Sequence, residues 1–270
     1  MKMRGITARF VLFVVTAAIF PLAIYGIVSA ASLYTGTTES VQTGNARVAA
    51  QVAAHVDLYM TNNTRVLQAI GTEFGAIGLG PSQQDRTLKD YGIDFPEFRE
   101  ITVFDRAGNA LATSAVGATR LAIPAEAQTT QGPYIAPIKV DDDLLPTTTI
   151  AVRLTRAEQQ AGWVVGEIAL ETLWRTVKEF RVGSHGYALI VDRNGRLIAH
   201  GNPDAKRLIA VDQSPAAPEL QFASEFRASH TAESSKTYRL NGEQMLAVAA
   251  AVQPPASNAG GLALPDTGWT

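Results

Sequence analysis

A chain of 270 residues with 46% hydrophobic and 18% charged side chains is long and apolar enough for one or two domains with a sizeable core. Its net charge of −2 offers no basic field for a nucleic acid. The absence of cysteine excludes disulfides, a thiolate nucleophile and cysteine-held metal.

The N-terminal segment carries the strongest signal. Lys2, Arg4 and Arg9 precede an apolar run over residues 10–33, 24 positions without a charge. About 20 residues suffice to cross a hydrocarbon core, and only a helix satisfies its own backbone there. Basic residues on the N-terminal side alone keep residues 1–9 cytoplasmic and place everything beyond about residue 35 outside. Val28-Ser29-Ala30 before Ala31 also reads as a signal-peptidase site. The length of the run favours a retained anchor, and either outcome exports the remainder.

Beyond a polar junction, apolar residues recur at Val48, Val52, Val56, Tyr59, Val66, Ile70, Phe74 and Ile77, with helical spacing. A helix over residues 36–77 is about 60 Å long at 1.5 Å per residue, more than a compact domain needs. It is expected to continue the membrane helix as a spine, the alternative being two helices broken near Thr61-Asn62-Asn63-Thr64. A second helix is expected from Ser82, as N-cap, to about Tyr91.

From residue 95 the pattern changes to short alternating segments. Residues 101–104, 110–114, 134–140, 148–154 and 162–169 read as strands, 170–181 as a helix, and 187–191, 197–200, 235–240 and 244–252 as further strands. Within them, Asp105-Arg106-Ala107-Gly108 and Asp192-Arg193-Asn194-Gly195 each sit between two apolar segments, 87 positions apart. Aspartate accepts turn amides and glycine supplies the positive φ of such a hairpin. The repeat predicts a duplicated module, with Trp269 opening the strand that Trp163 occupies in the first copy. Extra loop in the second copy is assigned to the Pro/Ala/Ser-rich stretches 212–218 and 253–265.

The anchor and spine, the two Asp-Arg-x-Gly hairpins, and Gly183-Ser184-His185-Gly186-Tyr187 leading through Ala188-Leu189-Ile190-Val191-Asp192 to Ile198-Ala199-His200 together resemble the double Cache family over about residues 36–270. The resemblance implies an α+β fold: a transmembrane helix, a long spine helix and two tandem PAS-like antiparallel-sheet subdomains. The corresponding division is 1–9 cytoplasmic tail, 10–34 transmembrane helix, 35–81 spine, 82–181 membrane-distal subdomain and 182–270 membrane-proximal subdomain. It implies an extracytoplasmic sensor of a small organic ligand, an amino acid or a carboxylate, feeding a histidine kinase, with a chemoreceptor or a diguanylate cyclase as alternative outputs. An exported binding protein or hydrolase is the reading from a different class. The chain stops within what the repeat makes a strand, so it is expected to be part of a longer receptor.

Chemistry of other kinds finds no support. There is no nucleophile elbow, P-loop or dinucleotide fingerprint, and no catalytic residue is assigned. His55, His185, His200 and His230 are scattered, Asp141-Asp142-Asp143 lacks the Gly and Glu of an EF-hand, and neither cofactor nor metal is expected. The resemblance implies ligand residues in the distal copy. Tyr134 supplies an aromatic wall, Arg153 a cation for a carboxylate, and Glu167, where amino-acid-binding members carry Asp, an anion for an ammonium. A buried ligand charge needs such partners. The Arg-x-Trp-Tyr signature of those members is absent, and the competing reading makes Arg153 and Glu167 surface charges. Arg120 and Asp105 are further candidates, Asp105 being explained more simply by its turn. A stripe near residues 48–59 is expected either to pair with a second copy, giving a homodimer through the spine, or to pack on its own sheets.

Overall fold

The computed structural model describes residues 4–76, 80–130, 132–140, 145–156, 159–183, 186–192, 195–202, 221–222, 225–226, 235–240, 242–252 and 269–270. The expected loops at 141–143, 212–218 and 253–265, together with His185 and His230, lie outside the described residues. The chain divides into two compact units, Met1–Asn45 and Ala46–Thr270.

The first unit is helical through its described residues, and its large apolar side chains from Phe10 to Tyr34 are all exposed. It holds a helix long and apolar enough to cross a membrane. Thr16 fits such a segment because its hydroxyl donates to the Leu12 carbonyl at 2.8 Å, which leaves no unmet donor on the side chain.

The helix containing this segment, α1, runs Arg4–Ala76 without a break at Thr61-Asn62-Asn63-Thr64. The polar side chains there are absorbed locally: Asn63 donates to the Tyr59 carbonyl at 2.9 Å and Thr64 to that of Met60 at 2.8 Å. In the second unit α1 buries Val52, Val56, Met60, Leu67, Ile70 and Phe74, spaced by threes and fours or their sums. Gly75, which interrupts that pattern in sequence, is where the helix meets the sheet. A Cβ there would stand 2.3 Å from the Thr155 carbonyl oxygen.

Helix α2, Pro81–Asp94, is capped by Gly80, two residues earlier than the expected Ser82. Pro81 suits the first helical position because the missing N–H is unpaired there anyway. The side chain of Gln83, not Ser82, accepts the Gly80 N–H at 3.2 Å. Then come β1 (Phe98–Asp105), β2 (Ala110–Thr113), the short helix α3 (Ala125–Thr129), β3 (Tyr134–Ile135), β4 (Lys139–Val140), β5 (Pro146–Arg156), β6 (Gln159–Ala169) and α4 (Glu171–Glu179). The single strand expected over 134–140 is split in two around Pro137, which has no N–H for the ladder. These strands form one six-stranded antiparallel sheet in the order β2-β1-β6-β5-β3, with β4 also on β5. Ile101, Val103, Ile150, Val152, Leu154, Val164 and Ile168 share a core with the apolar face of α1.

The later strands are β7 (Arg181–Val182), β8 (Gly186–Tyr187), β9 (Leu189–Val191), β10 (Leu197–His200), β11 (Ser235–Leu240) and β12 (Glu243–Val248). In their described residues the two Asp-Arg-x-Gly hairpins share the same backbone turn bonds and the same aspartate Oδ1 bond. Gly108 and Gly195 have φ of 89° and 75°. Their amides donate to the Asp105 and Asp192 carbonyls at 3.2 and 3.0 Å. Each aspartate Oδ1 accepts the amide four residues on, at 2.8 Å in both copies. Val191 and Thr270 exchange two backbone bonds, 2.8 and 2.9 Å, as a strand beside β9 must. The tryptophan equivalence is corrected by one residue: Thr270 opposes Val191 as Trp163 opposes Phe104. Side chains alternate between faces, so Trp163 lies on the face turned from α1 whereas Trp269 joins the α1 core.

His200 ends β10 at 5% exposure, its ring 4.5 Å from that of Tyr187. Its Nδ1 accepts the Asn202 N–H at 2.9 Å, so the ring is neutral with the proton on Nε2. Burial lowers its pKa to about 4. The unfolded chain takes up this proton as pH falls through about 6.5 and the folded chain only near 4. Stability present above pH 6.5 is therefore lost between those values, on the order of 2–3 kcal/mol. Denaturation midpoints at pH 7.5 and 4.5 should diverge less in His200→Gln than in the wild type. Equal acid sensitivity in both chains would refute the assignment.

Candidate functional site

On the sheet face turned away from α1, the register sets three rungs across β1, β6 and β5: Phe104, Trp163 and Arg153; then Thr102, Val165 and Ala151; then Glu100, Glu167 and Thr149. Alternation puts all nine side chains on one face. Phe104, Trp163, Val165 and Ala151 pack with Ala127 of α3, and Leu121, Ile123 and Tyr134 close over them.

The first rung is held together by its own charge. The Arg153 guanidinium lies 5.4 Å from the centre of the Trp163 ring. Its Nη2 donates to the carbonyls of Thr130 at 2.8 Å and Gln128 at 3.4 Å. Among the described residues its buried Nε has no hydrogen-bond partner. Arg153 thus fastens the end of α3 to the sheet. Tyr134, paired with Ala151 on β5, flanks the second rung. Val165 and Ala151 of that rung are 0% exposed.

The third rung is acidic. Glu100, 6% exposed, accepts at Oε1 from the hydroxyls of Thr102 (3.0 Å), Thr113 (3.2 Å) and Thr119. Its Oε2 accepts the Arg120 amide at 3.4 Å. Glu167, directly opposite on β6, is half-buried, and its Oε1 accepts the Thr147 hydroxyl at 3.4 Å. Among the described residues neither carboxylate has an ion-pair partner. Like charges facing each other across strands are unfavourable, and a cation placed between them would relieve that repulsion.

The five sequence-predicted residues therefore do not converge on one point. Arg153 and Glu167 share a face but stand two rungs apart, with the covered Val165 and Ala151 between them. Both sit on central strands and are half-buried. Arg120 brings its backbone amide to Glu100 while its side chain is exposed. Asp105 is in the hairpin turn, and hydrogen bonds from the Asn109 side chain and backbone hold its carboxyl below the usual range. Glu100 was missed. The apolar alternation of β1 is legible only from Ile101, whereas β1 begins at Phe98.

A family model described as "Cache domain" matches residues 33–270. No curated protein sequence matches the chain. Among solved structures, the ligand-binding domain of the Campylobacter jejuni chemoreceptor Tlp3 in complex with 4-methylisoleucine is 17% identical, with 79% of this chain and 87% of that one covered at a TM-score of 0.60. The ligand-binding domain of the Pseudomonas aeruginosa amino acid chemoreceptor PctC in complex with GABA is 14% identical, with 83% and 94% covered at 0.60. That of the Pseudomonas fluorescens chemoreceptor CtaA in complex with L-serine is 14% identical, with 77% and 89% covered at 0.57. At these identities the likeness is one of fold, and it agrees with the sheet, hairpins and helix described above. With a family match over nearly all of its length, the chain belongs to the Cache domain family.

Proposed function

We propose that this chain is the extracytoplasmic small-ligand sensor of a membrane-anchored signalling receptor, and that Glu167 accepts the ammonium group of an amino acid or related amine. The observation that carries the reading is the third rung: a half-buried carboxylate with one weak hydroxyl partner, facing a buried carboxylate, with no cation paired to either among the described residues. An ammonium placed there gains a charge-assisted bond and relieves the repulsion. Family membership and the amino-acid-type ligands of the three chemoreceptor domains support the same class. The arrangement of Lys2, Arg4 and Arg9 before the apolar helix supports a location outside the cytoplasm. The sensing subdomain is 82–181, with 182–270 relaying; the stripe of α1 near residues 48–59 packs on the chain's own sheets, with Val52, Val56 and Met60 buried there. For the output, a histidine kinase is the first reading, and the chemoreceptor neighbours favour a chemotaxis output as the second.

The test is a thermal-shift screen of the full chain in detergent against the twenty standard amino acids and GABA. A ligand that binds only the folded state stabilises it by about 2.7 kcal/mol at 100 times its Kd. Wild type should show an upward shift with at least one compound, and Glu167→Ala should abolish it. A shift that survives in Glu167→Ala removes Glu167 from the site, and no shift with any compound removes the ligand class.

A further inference from the structure

The ammonium reading of Glu167 leaves unexplained why a second carboxylate is buried opposite it. Glu100 meets four donors: the hydroxyls of Thr102, Thr113 and Thr119 and the amide of Arg120. An ionised carboxylate only accepts, and it matches that set, whereas a carboxamide would turn its own N–H groups toward some of these donors. Two of the threonines act on the chain beyond them as well. Thr113 Oγ1 accepts the Ala115 amide at 3.2 Å, and Thr119 Oγ1 accepts that of Leu121 at 3.0 Å. Between these points the segment is loosely held, with Val116 fully exposed and Gly117 at a φ of 103°. Just beyond it, Leu121 and Ile123 pack over the face that carries Glu167.

We propose that Glu100 is a positioning residue for the ligand site: it pins both ends of segment 114–120 to the sheet floor and so fixes the wall beside Glu167 before ligand arrives. The proposal rests on Glu167 being the ammonium acceptor. The two ends are not equally dependent on it. Near residue 113 the chain is also held by Asp85, which accepts the Thr113 amide at 3.1 Å, and by two bonds between Ser114 and Ile101, each 2.8 Å. At Thr119 and Arg120 the tethers are the two bonds to Glu100 and one between the Thr119 and Thr102 hydroxyls at 2.9 Å, and Thr102 is itself bonded to Glu100. Loss of the carboxylate therefore frees 119–121 first.

The test uses the full chain in detergent, with hydrogen exchange of the free protein and the Kd of whichever amino acid gives the largest wild-type thermal shift. Glu100→Gln should speed exchange of the Arg120 and Leu121 amides, leave β5 and β6 protected, and weaken binding about tenfold or more. Thr119→Val should reproduce both effects, and Thr119→Ser, which keeps the hydroxyl, should bind like wild type. The Thr119 pair decides the matter should Glu100→Gln not fold. A role in stability alone would instead lower protection across β5 and β6 with Kd unchanged, and that result overturns the proposal. So does a Thr119→Ser chain that binds as poorly as Thr119→Val. A wild-type chain that binds no amino acid sinks the Glu167 reading and this one with it. A wild type that binds, alongside Glu100 and Thr119 variants that bind equally well, overturns the positioning role alone.

Discussion

Gly162→Ala is expected to destabilise the second unit by about 3 kcal/mol, at the upper end of what overpacking costs. Gly162 lies in β6 between Asp105 of β1 and Leu154 of β5. A Cβ built there stands 2.0 Å from the Phe104 carbonyl oxygen, 3.1 Å from its carbonyl carbon and 3.2 Å from that of Asp105. These are backbone atoms of the neighbouring strand, so no rotamer change relieves the contact. The strands must part, and the Phe104–Trp163–Arg153 rung parts with them. For a unit of this size each kcal/mol moves the melting temperature by about 2–4 °C, giving a fall of about 6–12 °C. Circular dichroism melts in detergent would check it, with Gly44→Ala, which meets nothing within 4 Å, as the control. A melting point within about 2 °C of wild type would show that the strands tolerate the methyl.

Leu67→Ala should cost about 2–5 kcal/mol, toward the upper part of that range. Leu67 is 0% exposed on α1, and its Cδ2 stands 2.8 Å from where a Cβ of Gly166 would be. The sheet offers no side chain at that point to fill the space, so the cavity cannot readily collapse. The same truncation at Leu58, 54% exposed on the same helix, should stay within about 0.5 kcal/mol. Urea denaturation of the two variants side by side measures the difference. Equal losses would mean that α1 does not bury the face described.

The charged face of the sheet was only partly legible in the sequence. Arg153 and Glu167 are 14 positions apart in the chain, a spacing that leaves their separation in space open. The β5–β6 register decides it, by setting Arg153 against Trp163 and Glu167 against Thr149. Glu100 was hidden for a related reason: its partners Thr113 and Thr119 come from the chain that folds back beside β1, and nothing in residues 98–104 announces them.

The helix of residues 48–74, the change to strands after residue 95, the paired Asp-Arg-x-Gly turns and the apolar N-terminal run were all determined by the sequence itself. Each depends on a local rule: side-chain period, a glycine at positive φ, or an uncharged stretch long enough for a bilayer. Tertiary structure alone decided which charges share a rung and which face each tryptophan takes. Pairing between distant strands sets those, and a slip of one residue, as at Trp269, sends a side chain to the opposite side of the sheet.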